Sequence, residues 1–596
     1  MEKKADYLFE ISWEVCNKVG GIFTVISSKI LPMKKVYGDN YFTIGPFFPE
    51  RNKYDDFKEK IAPDFLKDIF EKLHKQGIKC HFGSWTIEGE PNTILVDYSD
   101  FTYKLNEIKT QNWFLYKIDS LNTQYHDYDE PLLWATAVGY LLEEIKNNLG
   151  NKKIVAHCHE WLAGGTILYL KSKKAKIGTV FTTHATMLGR TLATNHVDLY
   201  DVLDKINPDE QAYKYGIQAK HLTEKACANN ADVFTTVSEI TGIEATYFLG
   251  KKPDVLLPNG LDVESFPTFE DASIKHKLLK AKMRRFVTAY FFPYYQFDLD
   301  ETLFYFLAGR YEFHDKGIDV FIKALGKVNQ KLKEILSKKT IVAFIFVPSG
   351  VKDIKKEILE NETFYNDIKE TIDDDIDELK DRLIYALISK KECSNDFLIG
   401  KQNKIELERK LARFKRNGLP PLSTHNLYNE ENDAILNECK KNDLTNKPED
   451  RVKIIFYPIY LTGADQLLDL NYYESITASH LGVFPSYYEP WGYTPLETGA
   501  LGIASVTTDL SGFGMYIKKI KDKSKNQGIY VVERLKKTDD EVVDSLTEIM
   551  YNFALLNKQE RIENKMRAKR LADTADWGLL AENYILAQNM AVEKIN

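Results

Sequence analysis

The sequence predicts an α/β protein built from two doubly wound, Rossmann-like domains that face a cleft. Three observations carry this. At 596 residues the chain is too long for one hydrophobic core. Short apolar runs alternate with amphipathic stretches, the pattern of a parallel sheet covered by helices. The alternation stops at the Asn259-Gly260 turn of VLLPNGLD and begins again near Leu303, which divides the chain in two.

In the first half the expected strands are Tyr7–Ile11, Thr93–Asp97, Ile154–Cys158, Thr179–Thr183, Val233–Val237 and Val255–Leu257. The second series is Leu303–Leu307, Ile341–Val347, Val452–Phe456, Leu481–Phe484, Ala504–Thr507 and Ile529–Val532. The expected domains are 1–265, closed by a C-terminal helix at 577–596, and 266–576. About a hundred residues separate Ile341–Val347 from Val452–Phe456, where a βα connection ordinarily takes ~2–6. This insertion, 350–448, is highly charged and carries Tyr365, Ile368, Ile372, Ile376, Leu379, Leu383 and Leu387 at helical steps, then Leu407, Leu411 and Phe414. The stripe fits a helical pair within one chain, with a subunit contact as the alternative.

Composition narrows the function. The formal net charge is −7 with no long basic block, which argues against nucleic acid as the main partner. The six cysteines are scattered without C-x-x-C spacing, so they frame neither a zinc site nor a disulfide scaffold. No signal-peptide pattern and no apolar run near ~20 residues occurs. A reduced, cytoplasmic protein away from membranes is expected.

The chemistry concentrates in Phe484–Gly514, FPSYYEPWGYTPLETGALGIASVTTDLSGFG. Leu481–Phe484 reads as a buried strand and Pro495 as the start of a helix, so Glu489 falls on the loop and Glu497 in the first turns. Such a junction lies at the carboxyl edge of a parallel sheet, where open α/β folds bind ligands. Its amides suit a phosphate or a polar sugar, and its carboxylates suit hydroxyls. A second candidate loop, Asn17-Lys18-Val19-Gly20-Gly21, follows the first strand; its glycines allow close backbone approach, and the next helix offers free N–H groups to a diphosphate. In HCHEWLAGG, His157, His159 and Glu160 are metal-ligand types, but without a fourth partner at zinc-site spacing capping and packing fit better. His184 and Arg190 lie just beyond a strand in TTHATMLGR, and Arg310 and Lys316 just beyond another in AGRYEFHDKG. Arg as a fork and Lys as a point charge can converge there on two phosphates.

The block EPWGYTPLE resembles the E-x7-E block of retaining glycosyltransferases with two Rossmann-like domains (the GT-B type). Together with HEWLAGG, VFTTVS, LPNGLD, AGRYE and SGFG it most resembles glycogen synthases of the animal and fungal type, from Glu10 to about Trp577. The resemblance implies transfer of glucose from UDP-glucose to the non-reducing end of an α-1,4-glucan with retention, without cofactor or metal. It assigns Arg190, Arg310 and Lys316 to the diphosphate, His184 to the vicinity of the anomeric centre, and Glu489 to the donor glucose. Lys18, Gly20, Gly21, Asn259, Trp491, Gly492, Tyr493, Thr494 and Glu497 would complete the substrate site, Glu497 at the ribose. It further implies a tetramer held by the insertion, glycogenin as a priming partner, and glucose 6-phosphate as an effector. The matching effector residues are Arg561, Lys565, His276, Lys280 and His480, although a solvated basic helix accounts for the 558–570 segment equally well. The Ser-rich tails that carry inhibitory phosphorylation in that family have no counterpart, so control at those sites is not expected. An ADP-glucose-dependent glucan synthase and a catalytically inactive glucan-binding scaffold are the alternatives.

Overall fold

The computed structural model describes residues 2–49, 56–123, 126–520 and 526–595. The first lobe is built on β1 (Tyr7–Ile11), β2 (Tyr41–Pro46), β3 (Phe57–Glu59), β4 (Lys79–Trp85), β5 (Asn92–Asp97), β6 (Ile154–His159), β7 (Gly178–Thr183), β8 (Val233–Thr236) and β9 (Val255–Leu256). Their order is β3-β4-β5-β2-β1-β6-β7-β8-β9. From β5 to β9 every neighbour is parallel, and β3 and β4 add an antiparallel edge. All six strands expected in this half form. The sequence pattern missed β2, β3 and β4. Gly45 and Pro46 make β2 look like a turn, yet it is wholly buried, and a Cβ on Gly45 would lie 2.4 Å from the Val15 carbonyl oxygen. At the edge, β3 is mostly exposed and shows no apolar run.

The second lobe carries β10 (Thr302–Ala308), β11 (Thr340–Phe346), the short antiparallel pair β12 (Val351–Ile354) and β13 (His425–Leu427), then β14 (Val452–Tyr457), β15 (Leu481–Val483), β16 (Ala504–Thr508) and β17 (Ile529–Val532). Its main sheet is parallel throughout, in the order β14-β11-β10-β15-β16-β17. Each sheet therefore has a point at which the winding reverses: β1 beside β6 in the first lobe, β10 beside β15 in the second. Crevices outside the carboxyl ends of such strands bind ligands.

The chain returns to the first lobe through the helix Trp577–Glu593, which packs on β6, β7 and β8. Trp577 Nε1 donates to Ser28 Oγ at 2.8 Å. The ring leaves no room for a side chain at residue 260, since a Cβ on Gly260 would come within 2.5 Å of it. One apolar cluster unites Leu8, Val25 and Trp577 with Trp491 and Phe513 of the second lobe.

The insertion forms the helices Lys356–Asp374, Ile376–Ser389, Asn395–Ile399 and Lys401–Phe414. The first and last pack together and bury Leu407 and Phe414, with the Tyr365 and Phe414 rings 6.4 Å apart. Helix Ile376–Ser389 leaves Leu387 68% and Ile388 79% exposed. The helical stripe thus divides into a pair closed within the chain and an apolar face left uncovered.

Candidate active site

In the second lobe, the strand β10 ends at Ala308 and delivers Arg310 and Lys316; β15 ends at Val483 and delivers Glu489. Gly317 makes the return into the next helix. It sits at φ +66°, and a Cβ there would lie 2.0 Å from the Pro485 carbonyl oxygen. That close approach brings the two loops together, and Lys316 Nζ donates to Glu489 Oε2 at 2.6 Å. A small cleft forms between Lys316, Glu489, Thr494, Ser486 and Thr507. Arg310 is 70% exposed and pairs with Glu312 at 2.9 Å.

Gly492, at φ +105°, opens the following helix Tyr493–Ala500 against Ser511. Glu497 lies in that helix, and its carboxylate accepts hydroxyls from Tyr472 and Tyr473, each at 3.1 Å. Burial pushes its carboxyl up to about 7, with the two hydroxyls opposing. Trp491 was expected among substrate contacts, but its ring is in the core against Phe513 and Tyr516. Tyr493 donates to the Gly260 carbonyl oxygen at 3.3 Å, and Asn259 beside it is buried.

The first lobe contributes from β1, β6 and β7, neighbouring strands whose carboxyl ends share one edge. His184 follows β7 and is buried to 7% exposure. Glu160 holds its loop by accepting the backbone N–H groups of His184 at 2.9 Å and Ala185 at 3.1 Å. Arg190, one turn into the helix Met187–Thr194, is exposed on the cleft side. Burial by the surrounding walls opposes its charge, and Tyr488, Glu160, Glu312 and Glu224 more than compensate, so the guanidinium stays charged. Tyr488 crosses from the second lobe to donate to Glu244 at 3.3 Å, and Glu244 also accepts from Thr186 and Tyr200. The lobes are therefore joined by polar contacts at the rim of the cleft.

One expectation needs correction, and the capping-and-packing reading of HCHEW gains detail. The helix Gly21–Tyr37 does not offer all its first amides to a ligand: Glu14 Oε2 accepts the N–H groups of Gly20 at 2.8 Å and Phe23 at 2.9 Å. A carboxylate of the chain itself thus occupies the positive end of the helix dipole. Lys18 is exposed, with its ammonium 5.6 Å from the Phe23 ring centroid. The histidines of HCHEW also have a partner that spacing could not reveal. Glu10, from β1, brings a carboxylate to His157 and His159. The same carboxylate forms an ion pair with the buried Lys29, so a cation already stands at the oxygen a metal would take. A charged residue within the apolar run Tyr7–Ile11 was the available signal for Glu10.

Residues 10–596 match the glycogen synthase family model. A Neurospora crassa glycogen [starch] synthase is 38% identical over 100% of this chain and 84% of its own length. The human liver glycogen [starch] synthase is 36% identical over 98% of this chain and 83% of its own length. Isoform 1 of Saccharomyces cerevisiae is 38% identical over 98% and 86%. The chain belongs to the glycogen synthase family. The catalytic domain of starch synthase IV from Arabidopsis thaliana, solved with ADP and acarbose, superposes with a TM-score of 0.52 at 13% identity, over 99% of this chain and 100% of that one. That likeness supports the two-lobed glycosyltransferase fold.

The residues expected to hold an effector also come near one another. Arg561 and Lys565 lie on the helix Lys558–Asp573, His276 and Lys280 on the helix Phe269–Phe291, and His480 precedes β15. The His276 and His480 rings meet edge-on at 5.4 Å. His276 Nδ1 lies 2.6 Å from the Thr477 carbonyl oxygen, and His480 Nδ1 accepts the Phe304 N–H at 2.9 Å. Burial, then Lys280 and Arg561, push the Lys565 ammonium down to about 7. Burial and Lys565 push His276 down to about 3. Among the described residues no helix is long and apolar enough to cross a membrane.

Proposed function

We propose that this glycosyltransferase of the glycogen synthase family extends an α-1,4-glucan at its non-reducing end with glucose from UDP-glucose, retaining configuration. The observation that carries this reading is the Lys316–Glu489 pair of the second lobe, with the Arg190 helix of the first lobe tied to the same loop where Thr194 donates to Asp315 at 3.4 Å and with the Glu312 charge acting on Arg190. The donor would lie between the lobes with its diphosphate against Arg190, Arg310 and Lys316. As the anomeric C–O bond breaks, negative charge grows on the diphosphate and positive charge on the sugar; fixed cations stabilise the former without reorganising. Glu489 would orient the glucose through its hydroxyls and Glu497 the ribose, while the glucan 4-hydroxyl attacks from the leaving-group side. With these cations on the diphosphate, turnover is expected to persist in EDTA.

The finer assignments follow from the same likeness. The Arg561–Lys565–Lys280 cluster suits a phosphate ester such as glucose 6-phosphate, because its cations mostly face one another. The uncovered apolar face on Ile376–Ser389 supports assembly into an oligomer, a tetramer in the family reading. Glycogenin is the proposed primer and the cytoplasm the proposed compartment. The deciding experiment is incubation with glycogen and labelled UDP-glucose or ADP-glucose. Incorporation from UDP-glucose supports the assignment, faster turnover with ADP-glucose overturns the donor, and no incorporation from either favours a glucan-binding scaffold.

A further inference from the structure

Behind His184 lies a run of buried groups that the scheme above does not use. Lys29, fully buried, forms an ion pair with Glu10 Oε1. Tyr41 donates its hydroxyl to Glu10 Oε2. His159 Nε2 is 2.7 Å from Glu10 Oε1, and His159 Nδ1 is 2.9 Å from His184 Nε2. These groups come from the helix Gly21–Tyr37 and from the neighbouring strands β2, β1, β6 and β7, so the run crosses the sheet toward the cleft.

Proton positions along this run follow from donor and acceptor counting. The Glu10 carboxylate only accepts, so His159 Nε2 must carry the proton it shares. A neutral His159 then has a lone pair on Nδ1, and His184 must donate to it from Nε2. The remaining nitrogen of His184, Nδ1, is therefore a lone pair. It takes no hydrogen bond from the described residues and is not sealed from solvent. We propose that Lys29 and Glu10 are positioning residues that hold His184, through His159, in the tautomer whose Nδ1 accepts a hydroxyl of the donor sugar. The inference rests on the reading of this cleft as the donor site.

The electrostatics agree. Burial first, and then the Lys29 charge, keep His159 well below the ordinary histidine range. Burial and His159 do the same for His184. By neutralising Glu10, Lys29 removes the anion that would otherwise draw a second proton onto His159. The other groups facing the pair are His157, stacked on His159 at 4.5 Å, Arg190 beside His184, and Glu160 on its backbone. Tyr584 of the last helix covers Lys29 at 4.1 Å.

The test compares the parent with His184→Ala, Lys29→Met and the double variant Lys29→Met/Glu10→Leu. kcat and KM for the nucleotide sugar are measured from pH 5.5 to 8.5, alongside thermal melts and the ¹⁵N histidine spectrum. Lys29→Met leaves Glu10 unpaired, so His159 becomes an imidazolium and donates from both nitrogens, which forces the proton of His184 onto Nδ1. kcat should then fall roughly 10- to 100-fold on the acid side, as for lost outer-shell partners, and recover as pH rises through the raised His159 pKa, with KM little changed. The parent should show no such acid limb. The double variant replaces the buried ion pair with apolar groups, a change proteins often tolerate. It should lose kcat by a smaller, few-fold factor and without an acid limb, because His159 is freed to exchange tautomers and still spends part of its time in the productive one. A double variant with parental kcat, or a melting-competent Lys29→Met with the parental pH profile, overturns the inference while leaving the donor site standing. A His184→Ala enzyme with parental kcat overturns the donor-site placement of His184 and the inference with it.

Discussion

The cleft and the basic cluster around Lys565 use the same residue types in opposite ways. In the cleft, Lys316 has Glu489 at 2.6 Å and Arg310 has Glu312 at 2.9 Å. Around Lys565 the nearest charges are Lys280 and Arg561, and the ammonium is pushed down to about 7. Paired cations hold their charge and geometry before a ligand arrives, which suits groups that must be in place when charge develops in a transition state. Crowded cations repel one another and lose protons, so an arriving anion gains both their attraction and the protons it brings back. In the proposed reading, the paired site serves turnover and the crowded one senses an anion.

The largest effects should come from the paired site. Lys316→Ala and Arg310→Ala should each lower kcat on the order of 10²-fold or more, as for loss of one oxyanion donor, and Glu489→Gln should be severely impaired with an unchanged melt. Steady-state assays with UDP-glucose and glycogen check this; near-parental kcat in any of these variants removes that residue from the paired site.

The crowded site should respond to pH rather than to chemistry. Lys565 is charged below about 7, so affinity for glucose 6-phosphate should fall several-fold as pH rises from 6.5 to 8. Lys565→Arg should flatten that dependence, because guanidinium stays charged throughout. Arg561→Ala should weaken binding about tenfold, since a charge-assisted hydrogen bond contributes ~1.5–3 kcal/mol. Calorimetric titration at the two pH values reads both, and an unaltered Arg561→Ala affinity would place the effector elsewhere.

The smallest effect tests Glu497, whose carboxylate is held by the Tyr472 and Tyr473 hydroxyls rather than by a cation among the described residues. Its folded pKa, about 7, lies above the unfolded value. It therefore adds stability below the unfolded pKa that is lost as pH rises through about 7. Glu497→Gln should raise the unfolding free energy from urea melts at pH 8 by about 1 kcal/mol and leave it unchanged at pH 4.5. A variant equally shifted at both pH values would show that packing, not charge, governs this position.

Much of the frame was written in apolar runs. All twelve expected strands form, since a strand buried on both faces of a parallel sheet must be apolar almost throughout. The exposed edge strand β3 escaped because it needs no such run, and the more buried β2 and β4 because Gly45, Pro46, Gly83 and Ser84 interrupt theirs. Lys316, Glu489, His184 and Arg190 stand in loops or first turns beyond the strand ends expected from the sequence, while the roles proposed for them come from the family resemblance. Glu14 and Lys29 were not legible. Neither sits in a motif or at a spacing that marks it, and Lys29 lies fully buried in its helix.

The sequence by itself determined the two-lobed α/β plan, twelve of the strands, and the chemical types available at their ends, because periodicity and residue chemistry are local. Only the tertiary structure decided which groups meet. Lys316 reaches Glu489 across 173 positions of the chain, Glu10 reaches His159 across 149, and Lys565 lies close enough to Lys280 to feel its charge. Those meetings set which charges are paired, which are crowded and which proton each histidine keeps. Coulomb interactions and burial act through space, and no spacing along the chain encodes them.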